Sequence, residues 1–271
     1  MDNKKELLRP VLFYFIVAAI IIYFIFPILY MFLTSIKSAL DIWAIPPKLF
    51  IFKPTFKTWI NLFTKKPILY YLYNSIAVAF GTTIISMVFG TLAAYGLTMF
   101  RIKGANEISL FILLIRVIPP FAAVTPIFLI MKRFGLLDTR FGLIIAHTTF
   151  NLPFVVWMMR EFILSLPVEI EEAGMVDGLT RLQVFYKLLL PLLRPSIMAV
   201  SIFCIIFSWS EFLIALLLTQ TEAKTMPVAI AELPWQQASA AGTAIIIPVL
   251  LLAIFVQKYL IRGLTFGAIK D

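Results

Sequence analysis

Long apolar runs alternate with short polar connections along this chain, and most of the runs are long enough to cross a lipid bilayer. A helix needs about 20 apolar residues to span the hydrocarbon core of a membrane. We therefore predict an all-α membrane protein in which residues 1–271 form a single transmembrane domain. The six predicted spans cover approximately residues 11–33, 70–99, 107–131, 141–164, 196–219 and 241–261.

The first apolar run carries the basic flank of a signal peptide, since Lys4, Lys5 and Arg9 precede it. The apolar core of a signal peptide, however, is only about 7–15 residues long. The run from Val11 to about Leu33 is longer, so we interpret it as a retained first helix.

Small and helix-breaking residues mark two of the other spans. Gly81, Gly90 and Gly96 lie in the second span, and small residues let membrane helices pack closely. Pro119-Pro120 and Pro126 interrupt the third span, because proline removes a backbone donor from a helix.

Composition supports a membrane location and removes several other classes. The chain is 62% hydrophobic with a mean hydropathy of +1.00, whereas soluble domains are about 45–50% apolar. The net charge of +9 comes mostly from basic residues beside the apolar runs, so lipid headgroups are the expected counter-charge rather than nucleic acid. Cys204 and His147 are each the only residue of their type. This excludes an internal disulfide and predicts no metal site.

The most polar interruption in the second half of the chain is residues 165–195, here named the polar segment. Its local signals predict two short helices outside the membrane. Glu169, Glu171 and Glu172 place negative charge where it favours a helix N-terminus. Asp177-Gly178 is a turn signal that ends the first helix.

The second helix of the polar segment is predicted to start with a capping box, Thr180 to Gln183. Pro191 and Pro195 are expected to end it. Ala173 and Gly174 lie on one face of the first helix, and two such small residues let a partner approach the backbone. The alternative is an amphipathic surface hairpin that joins two spans and docks no partner.

The polar segment resembles the coupling loop, or EAA motif, of ABC-transporter permeases. The match comprises Glu172-Ala173-Gly174, then Gly178, and then Leu190-Pro191, with Gly174 in place of the second alanine. The Asp177-Gly178 pair and the Leu190-Pro191 step resemble the carbohydrate-importer branch of that family.

Further segments in order along nearly the whole chain resemble the same family. They are Phe26-Pro27, Thr34-Ser35-Ile36-Lys37, Asn74-Ser75, Ala93-Ala94-Tyr95, Pro119-Pro120, Gly135-Leu136-Leu137-Asp138-Thr139 and Leu152-Pro153-Phe154. Gly263-Leu264-Thr265-Phe266-Gly267-Ala268-Ile269-Lys270 resembles the C-terminal tail of the maltose-type permease subunit with six spans.

The resemblance implies that the polar segment sits in a groove of a cytoplasmic ATPase and carries its motion into the membrane. The residues implied in this coupling are Glu171, Glu172, Ala173, Gly174, Asp177, Gly178 and Pro191. The resemblance also implies that the tail, residues 262–271, contacts the ATPase subunits through Gly263, Leu264, Thr265 and Gly267. The alternative for the tail is a frayed terminus.

Polar residues inside the spans are candidates for a substrate path that offers hydrogen-bonding groups and an aromatic face. They are Arg116, Asn151, Ser208, Trp209, Ser210 and Glu211. The run from Ser208 to Phe212 resembles a family segment that more often has Asn at the position of Ser210. Charges at membrane depth are costly and usually face a cavity or a partner; the alternative for all of these residues is helix–helix hydrogen bonding. We interpret His147 as a packing or interfacial residue rather than a proton relay.

These observations and the resemblance together predict one permease subunit of an ATP-driven, binding-protein-dependent importer for a sugar, oligosaccharide or polyol. The chain has no Gly-x-x-x-x-Gly-Lys-Ser/Thr loop, so ATP and Mg are expected on separate ATPase subunits. No catalytic residue and no cofactor are predicted on this chain. The resemblance implies a second, different permease subunit, two ATPase subunits and an extracytoplasmic solute-binding protein, which the outer loop 220–240 is expected to meet.

The expected location is a bacterial or archaeal cytoplasmic membrane, with both termini in the cytoplasm. The positive-inside rule does not decide this orientation, because the side of the termini carries 12 Lys and Arg and the other side carries 10. The orientation therefore rests on the resemblance.

One alternative class remains open, and a second does not fit. An ion-coupled secondary transporter would use Arg116, Glu211 or His147, and it would need an internal repeat with broken helices at matching places in each half. A non-transporting membrane receptor would carry a signalling domain, for which the six predicted spans leave no room.

Overall fold

The computed structural model describes residues 2–100 and 102–265, and these residues form helices joined by turns, with no β-strand among them. The helices are α1 Asp2–Ser35, α2 Ala39–Ile42, α3 Lys57–Lys65, α4 Ile68–Met99, α5 Ala105–Ile115, α6 Pro120–Arg133, α7 Arg140–Leu164, α8 Glu169–Val176, α9 Arg181–Val184, a π-helical segment Phe185–Leu189, α10 Leu190–Leu192, α11 Arg194–Ser210, α12 Leu213–Leu218, α13 Met226–Ala231 and α14 Trp235–Thr265. The chain divides into two compact units. Unit 1 contains the chain up to Leu69 together with Ala229–Ile247, and unit 2 contains Tyr70–Val228 together with the chain from Pro248.

Within the described residues, three helices are long and apolar enough to cross a membrane on their own: Leu12–Ser35, Ile68–Met99 and Arg140–Leu164. Up to five such spans result if each of two bent pairs counts as one, namely α5 with α6 and residues 181–192 with α11. The described apolar part of α14, Trp235–Leu251, is shorter than a full span. The prediction of an all-α membrane protein is confirmed, and the count of six spans stays a prediction.

The third predicted span is broken at the two adjacent prolines. α5 ends at Ile115 and α6 begins at Pro120, and the chain bends by 86° between them. Neither Pro119 nor Pro120 can donate a backbone N–H, so the helical ladder cannot continue through this point. Arg116 lies in the break, at the C-terminal end of α5.

We expected the fifth predicted span, residues 196–219, to be a single helix, but it is broken. α11 and α12 share this stretch, and Glu211 separates them in an extended conformation. The Glu211 carboxylate accepts hydrogen bonds from the backbone N–H groups of Ile214 and Ala215, at 2.9 and 3.1 Å. The side chain thus stabilises the start of a new helix, which accounts for a break without Gly or Pro. The expected loop 220–240 is likewise partly helical, since it contains α13 and the first turns of α14.

In unit 2, α4 and α7 pack side by side in the same direction. A Cβ at Gly81 would lie 2.6 Å from Ile144 Cδ1, and one at Gly90 would lie 2.6 Å from Val155 Cγ1. Only residues without a side chain let the two helices approach so closely. The predicted role of glycine in packing is confirmed at these two positions, whereas nothing lies within 4 Å of a Cβ at Gly96.

In unit 1, the end of α1 is fixed by polar contacts. Trp59 Nε1 donates a hydrogen bond to Ser35 Oγ at 3.0 Å. Lys37 is only 3% exposed, and its ammonium group lies 5.2 and 5.1 Å from the ring centroids of Tyr30 and Phe52. The apolar run of α1 before this point is exposed within the described chain.

Candidate functional site

The polar segment is a pair of short helices joined by a tight turn. α8 ends where Gly178 adopts a φ of +82°, a conformation that costs glycine little. Thr180 then caps α9: its side chain accepts from Gln183 N at 3.3 Å, and its own N–H donates to Gln183 Oε1 at 2.8 Å. The predicted turn at Asp177-Gly178 and the predicted capping box are both confirmed.

The second helix of the polar segment is longer than predicted. It continues through the π-helical segment and α10 as far as Leu192, and only then does the chain bend by 78° into α11. The expectation that Pro191 ends this helix is therefore wrong. Pro191 has no N–H to offer the carbonyl of Lys187, and the turn before it widens so that Leu190 N donates to the Phe185 carbonyl instead.

The small face of α8 is occupied by this chain itself. Gly174 is buried, and a Cβ there would lie 2.7 Å from Leu188 Cδ1 and 2.9 Å from Val184 Cγ2. The absence of a side chain at Gly174 thus lets α8 pack against the second helix of the polar segment. Of the two small residues predicted to admit a partner, Ala173 alone is exposed.

One edge of the polar segment is free in this chain and combines charge with apolar surface. It consists of the exposed residues Glu172, Ala173, Val176, Asp177 and Gly178, with Val176 86% exposed. We call these residues the exposed edge. Pro191 is also exposed, on the rim of an apolar groove of about 480 Å³ that Tyr186 and Arg194 help to line.

Glu171 lies apart from the exposed edge. Its side chain is buried, and Oε1 lies 3.5 Å from Arg181 Nη1. The same nitrogen donates to the Met99 carbonyl at 2.7 Å, and the Arg181 guanidinium lies 5.2 Å from the Phe100 ring centroid. Glu171 therefore helps to hold the polar segment on the end of α4.

Tyr95 supplies a second anchor from α4. Its hydroxyl donates to the Arg181 carbonyl at 3.0 Å, and its ring centroid lies 4.8 Å from that of Phe185. Sequence reasoning did not find Arg181 or Tyr95 as anchors, because more than 80 residues separate the partners. The presence of Tyr95 among the family-like segments was the one signal that pointed to it.

A buried apolar cluster completes the attachment of the polar segment to the helices of unit 2. It contains Val184, Phe185, Leu189 and Leu193 of the polar segment together with Met87, Ala94, Tyr95, Val155, Met159, Ile163, Val200 and Cys204. In the second helix of the polar segment, Phe185 and Leu189 are buried here, whereas Leu182 and Tyr186 are 63% and 47% exposed. α4, α7 and α11 therefore share one core with the polar segment.

The tail residues lie partly outside the described chain. Gly263, Leu264 and Thr265 form the last turn of α14, and Gly267 lies outside the described residues. The predicted contact of the tail with an ATPase stays a prediction.

Two of the in-span candidates, Ser208 and Glu211, meet at His147. His147 Nδ1 lies 2.7 Å from Ser208 Oγ, and His147 Nε2 lies 3.3 Å from Glu211 Oε2. His147 and Ser208 are buried. This arrangement joins α7 to the break between α11 and α12, as the packing interpretation of His147 predicts.

Arg116 makes contacts of a different kind, with aromatic rings. Its guanidinium carbon lies 4.2 and 4.7 Å from the ring centroids of Phe207 and Phe154. Ser210 is exposed and its hydroxyl donates to the Ile206 carbonyl at 2.8 Å. Asn151 and Trp209 are buried, at 4% and 8% exposure. The structure thus leaves Ser210 exposed and Arg116 and Glu211 half-buried, and it buries Asn151, Ser208 and Trp209.

A polar junction that sequence reasoning did not find connects the N-terminal ends of α4 and α7. The Asp138 carboxylate accepts hydrogen bonds from the backbone N–H groups of residues 220–223, at 2.9–3.2 Å. Burial alone raises the pKa of Asp138, but these donors outweigh it and hold the pKa well below its usual range. Asp138 itself adopts a φ of +55°.

Asn74 and Arg140 extend this junction. Arg140 Nε donates to Asn74 Oδ1 at 2.6 Å, and Asn74 Nδ2 donates to the carbonyls of Glu222 and Lys224, each at 2.9 Å. The Arg140 guanidinium also lies 4.9 Å from the Tyr73 ring centroid. α4 and α7 are therefore fixed to the same loop at one end and to the polar segment at the other.

No group of three or more His, Cys, Asp or Glu side chains that could hold a metal ion occurs in the part of the chain that the structure describes. The described residues offer instead an exposed edge of charged and apolar groups that stands on a packed helical core.

The chain belongs to the family described as binding-protein-dependent transport system inner membrane component, whose model matches residues 86–266. It is 31% identical to a sulfoquinovosyl glycerol transport system permease protein of Agrobacterium fabrum, over 91% of this chain and 89% of that protein. It is 36% identical to a trehalose transport system permease protein of Mycobacterium tuberculosis, over 73% of this chain and 76% of that protein.

The fold is also that of a solved structure. A chain in the crystal structure of a bacterial ABC transporter involved in import of the acidic polysaccharide alginate superposes with a TM-score of 0.78. The match covers 94% of this chain and 97% of that chain at 24% sequence identity. The predicted resemblance to ABC-transporter permeases is confirmed by the family and by the fold.

Proposed function

We propose that this chain is one permease subunit of an ATP-driven, binding-protein-dependent importer, and that the exposed edge of its polar segment receives the motion of an ATPase. One observation carries the proposal: the exposed edge stands on a segment that shares a packed core with α4, α7 and α11. Closely packed interiors have low compressibility and transmit displacement. A push on the exposed edge would therefore move these helices as one body.

The six-span arrangement follows the order of the helices. We assign the spans to α1, α4, the broken pair α5–α6, α7, the pair α11–α12, and α14. An even number of spans puts both termini on one side of the membrane. The polar segment lies between the fourth and fifth spans, on the side of the termini, and this side is the cytoplasm because ATP is there.

The transported solute is a sugar, an oligosaccharide or a polyol. The two relatives described above are named for sulfoquinovosyl glycerol and trehalose, and the structural neighbour is described as an importer of alginate. Carbohydrate is common to the three names. The exposed hydroxyl of Ser210 and the aromatic faces around Arg116 are groups that bind such solutes.

The assembly contains a second, different permease subunit, two ATPase subunits and an extracytoplasmic solute-binding protein. ATP and Mg bind to the ATPase subunits, because this chain has no phosphate-binding loop. The tail, residues 262–271, contacts the ATPase subunits. Closure of the ATPases on ATP shifts the path from an inward-facing to an outward-facing state, and the preference for one state comes from the different contacts of the exposed edge in each.

An ion-coupled secondary transporter is less favoured by the geometry. Such a mechanism needs charged groups that gain and lose partners during transport. The Glu211 carboxylate instead holds the start of α12 and lies beside His147, and Arg116 stacks on rings of other helices. Arg116 and Glu211 thus belong to separate groups of contacts.

The test is the composition of the purified assembly. We expect that the chain, purified from its native membrane in mild detergent with a tag that leaves the C-terminus free, brings a second permease and an ATPase. Glu172→Lys reverses a charge on the exposed edge, and Gly178→Val forces a branched side chain into a left-handed conformation. Both variants should keep the second permease, lose the ATPase and abolish uptake.

Gly135→Val is the matched control for Gly178→Val. Gly135 has a φ of +67° and, as at Gly178, a Cβ added there would have no atom within 4 Å, so the two substitutions impose similar backbone strain. Gly135 lies at the other end of α7, and its variant should retain the ATPase. Normal ATPase recovery and uptake with Glu172→Lys and Gly178→Val, or solute movement by a chain that purifies alone without ATP, would refute the proposal.

A further inference from the structure

Arg116 is a half-buried cation for which the described chain supplies no anion. Its side chain is half-buried at the 86° break between α5 and α6. Its contacts within the described residues are with the rings of Phe154 and Phe207, and no Asp or Glu among those residues forms an ion pair with it. A charge at membrane depth without an anionic partner is a costly feature that usually serves a function.

The rings hold the guanidinium in place and leave part of it open. Phe154 and Phe207 meet edge to face, with ring centroids 5.4 Å apart. These contacts with two rings use none of the five N–H donors of the guanidinium. These donors are therefore available to an anionic oxygen-bearing group that arrives from outside the chain.

The surroundings of Arg116 offer the other groups that a sugar needs. Phe203, Phe207 and Ser210 are spaced i, i+4 and i+7 on α11, so they lie along one face of that helix. Phe203 and Ser210 are exposed, and Phe203 lies 6.0 Å from Phe154 between ring centroids. This face of α11 thus carries aromatic surface and a hydroxyl, and the Arg116 guanidinium lies over its Phe207 ring.

The start of α6 adds positive potential to the same break. α6 is 14 residues long, begins at Pro120, and has no side chain that caps its N-terminus. The N-terminus of a helix carries a partial positive charge. Val117 and Phe121, on either side of the two prolines, are 72% and 75% exposed, so the described chain leaves this place uncovered.

We propose that Arg116, held by Phe154 and Phe207, binds the carboxylate or sulfonate group of an acidic sugar, while the aromatic face of α11 and the Ser210 hydroxyl contact the sugar ring. This inference rests on the proposed function as a carbohydrate permease. It names the solute class: a saccharide that carries an acidic group. Neutral sugars of the same size bind this subsite less well, because they leave the guanidinium without its anion.

The experiment is thermal unfolding of the purified assembly with three probes at equal ionic strength: sodium glucuronate, glucose and sodium sulfate. Glucuronate should raise the melting temperature of the wild type by mass action, and glucose and sulfate should each do so by less than half as much. Arg116→Gln should weaken the apparent affinity for glucuronate by about tenfold. Arg116→Lys keeps the charge without the planar donors and should recover only part of that loss.

Phe207→Leu is a second variant that leaves Arg116 in place. It removes one of the two rings under the guanidinium, and it should weaken glucuronate binding while leaving any response to sulfate unchanged. Equal shifts with glucuronate and glucose would overturn the inference, as would equal shifts with glucuronate and sulfate. A wild-type response to glucuronate in Arg116→Gln would also overturn it.

The composition of the Arg116→Gln assembly separates this inference from the proposed function. The acidic subsite is refuted, and the importer is not, if the wild type responds equally to glucose and glucuronate while the assembly retains its second permease and its ATPase. Loss of the second permease in Arg116→Gln would show that a carboxylate of that subunit is the anion, which also overturns the subsite. Failure of the proposed function appears instead as an assembly without an ATPase.

Discussion

At the scale of single residues, Arg181 attaches the polar segment to α4, a role that its position at the start of a helix does not indicate. Its side chain donates to the Met99 carbonyl and pairs with Glu171, and its carbonyl accepts from the Tyr95 hydroxyl. The contacts come from both backbone and side chain. A substitution at this position therefore removes one part of the attachment to α4 and leaves the other.

We expect Arg181→Ala to destabilise the polar segment by about 1–2 kcal/mol, since it removes charge-assisted hydrogen bonds from a partly exposed group. It also leaves the buried Glu171 carboxylate without its partner. Arg181→Lys should recover only part of this loss, because a single ammonium cannot replace the planar guanidinium that donates to the Met99 carbonyl and lies against the Phe100 ring. Thermal unfolding in detergent should give the highest melting temperature for the wild type, a lower one for Arg181→Lys and the lowest for Arg181→Ala.

Glu171→Gln is the companion variant for Arg181. It removes the charge of the pair but keeps the Arg181 contacts with Met99 and Phe100, so its effect should be smaller than that of Arg181→Ala. A Glu171→Gln variant that is less stable than Arg181→Ala would contradict this account of the anchor.

Asp138 gives a second prediction at this scale. Asp138→Asn replaces a carboxylate, which only accepts hydrogen bonds, with an amide whose NH2 group cannot accept from the backbone N–H groups. We expect the free energy of unfolding to fall by about 2 kcal/mol. In the folded protein the pKa of Asp138 is depressed. The contribution of the Asp138 carboxylate to the free energy of unfolding is therefore complete above the unfolded pKa of about 3.9. It is lost as the pH falls through the pKa of the folded state.

The measurement for Asp138 is thermal unfolding across pH. The difference between wild type and Asp138→Asn should be constant from about pH 9 to about pH 5 and should shrink below about pH 4. Asp177→Asn makes the same chemical change on the exposed edge and should leave the melting temperature nearly unchanged. A wild-type advantage that disappears near neutral pH would contradict the assignment.

At the scale of elements, the polar segment depends on the close approach of α8 to the helix that follows it. Gly174→Ala should overpack this contact, because the new methyl would lie 2.7 Å from Leu188 and 2.9 Å from Val184. We expect a net cost of about 1–2 kcal/mol, after allowance for the better helix propensity of alanine. Thermal unfolding of the detergent-solubilised protein measures it.

Gly96→Ala is the matched control for Gly174→Ala. Gly96 is also helical, but nothing lies within 4 Å of a Cβ there, so this substitution should be neutral or stabilising by up to about 1 kcal/mol. Leu188→Ala should recover part of the loss when combined with Gly174→Ala, since it removes the atom that the new methyl meets. Additive effects of the two substitutions would contradict the contact.

Local sequence was sufficient to predict the parts of the polar segment that local chemistry determines. The capping box at Thr180 and the turn at Gly178 depend on residues three or four positions apart, so their signals stand side by side in the sequence. The bend at Pro119-Pro120 was predictable for the same reason, because proline cannot donate to the helical ladder. The apolar runs likewise indicated which parts of the chain are helical.

Contacts between distant parts of the chain were not predictable in this way. Periodicity places Gly174 on a face of α8 but does not say that Leu188 covers this face. It also gives no register for Arg181 against Met99, which lies 82 positions earlier. The break at Glu211 was missed because a single acidic residue in an apolar run fits both a buried helix and a helix start; only its bonds to Ile214 and Ala215 distinguish the two.

At the scale of the whole molecule, unit 2 is held together at both ends of α4 and α7. The junction around Asp138 and Arg140 fixes their N-terminal ends, and the polar segment packs against their C-terminal ends. Between these points, Gly81 and Gly90 bring the two helices into contact. A displacement applied to the polar segment should reach the far junction with little loss.

This predicts a narrow distance distribution between spin labels on Phe134 and Leu182, two exposed residues toward opposite ends of α7. The mean distance should change little between nucleotide-free and ATP-bound assemblies. Cys204 is the only native cysteine and is buried, so it can be replaced before labelling. Double electron–electron resonance provides the measurement.

Arg140→Ala is the comparison for this distance. It removes the bond to Asn74 and the contact with Tyr73, so the distribution should broaden while the polar segment keeps its own structure. A broad or strongly nucleotide-dependent distribution in the unmodified background would show that α7 and its two attachments do not move as one body.

The π-helical segment before Pro191 has a consequence for the evolution of chain length. A π turn holds one more residue than an α turn needs, and it absorbs the extra residue locally. The flanking residues Val184 and Leu193 both remain buried across it. Loss of one residue between Phe185 and Leu189 would convert the π turn to an α-helical turn. The residues before and after it would then keep the same buried face. Single-residue gaps in related permeases should therefore fall at this point, where a deletion elsewhere in the same helix would rotate its buried face by about 100°.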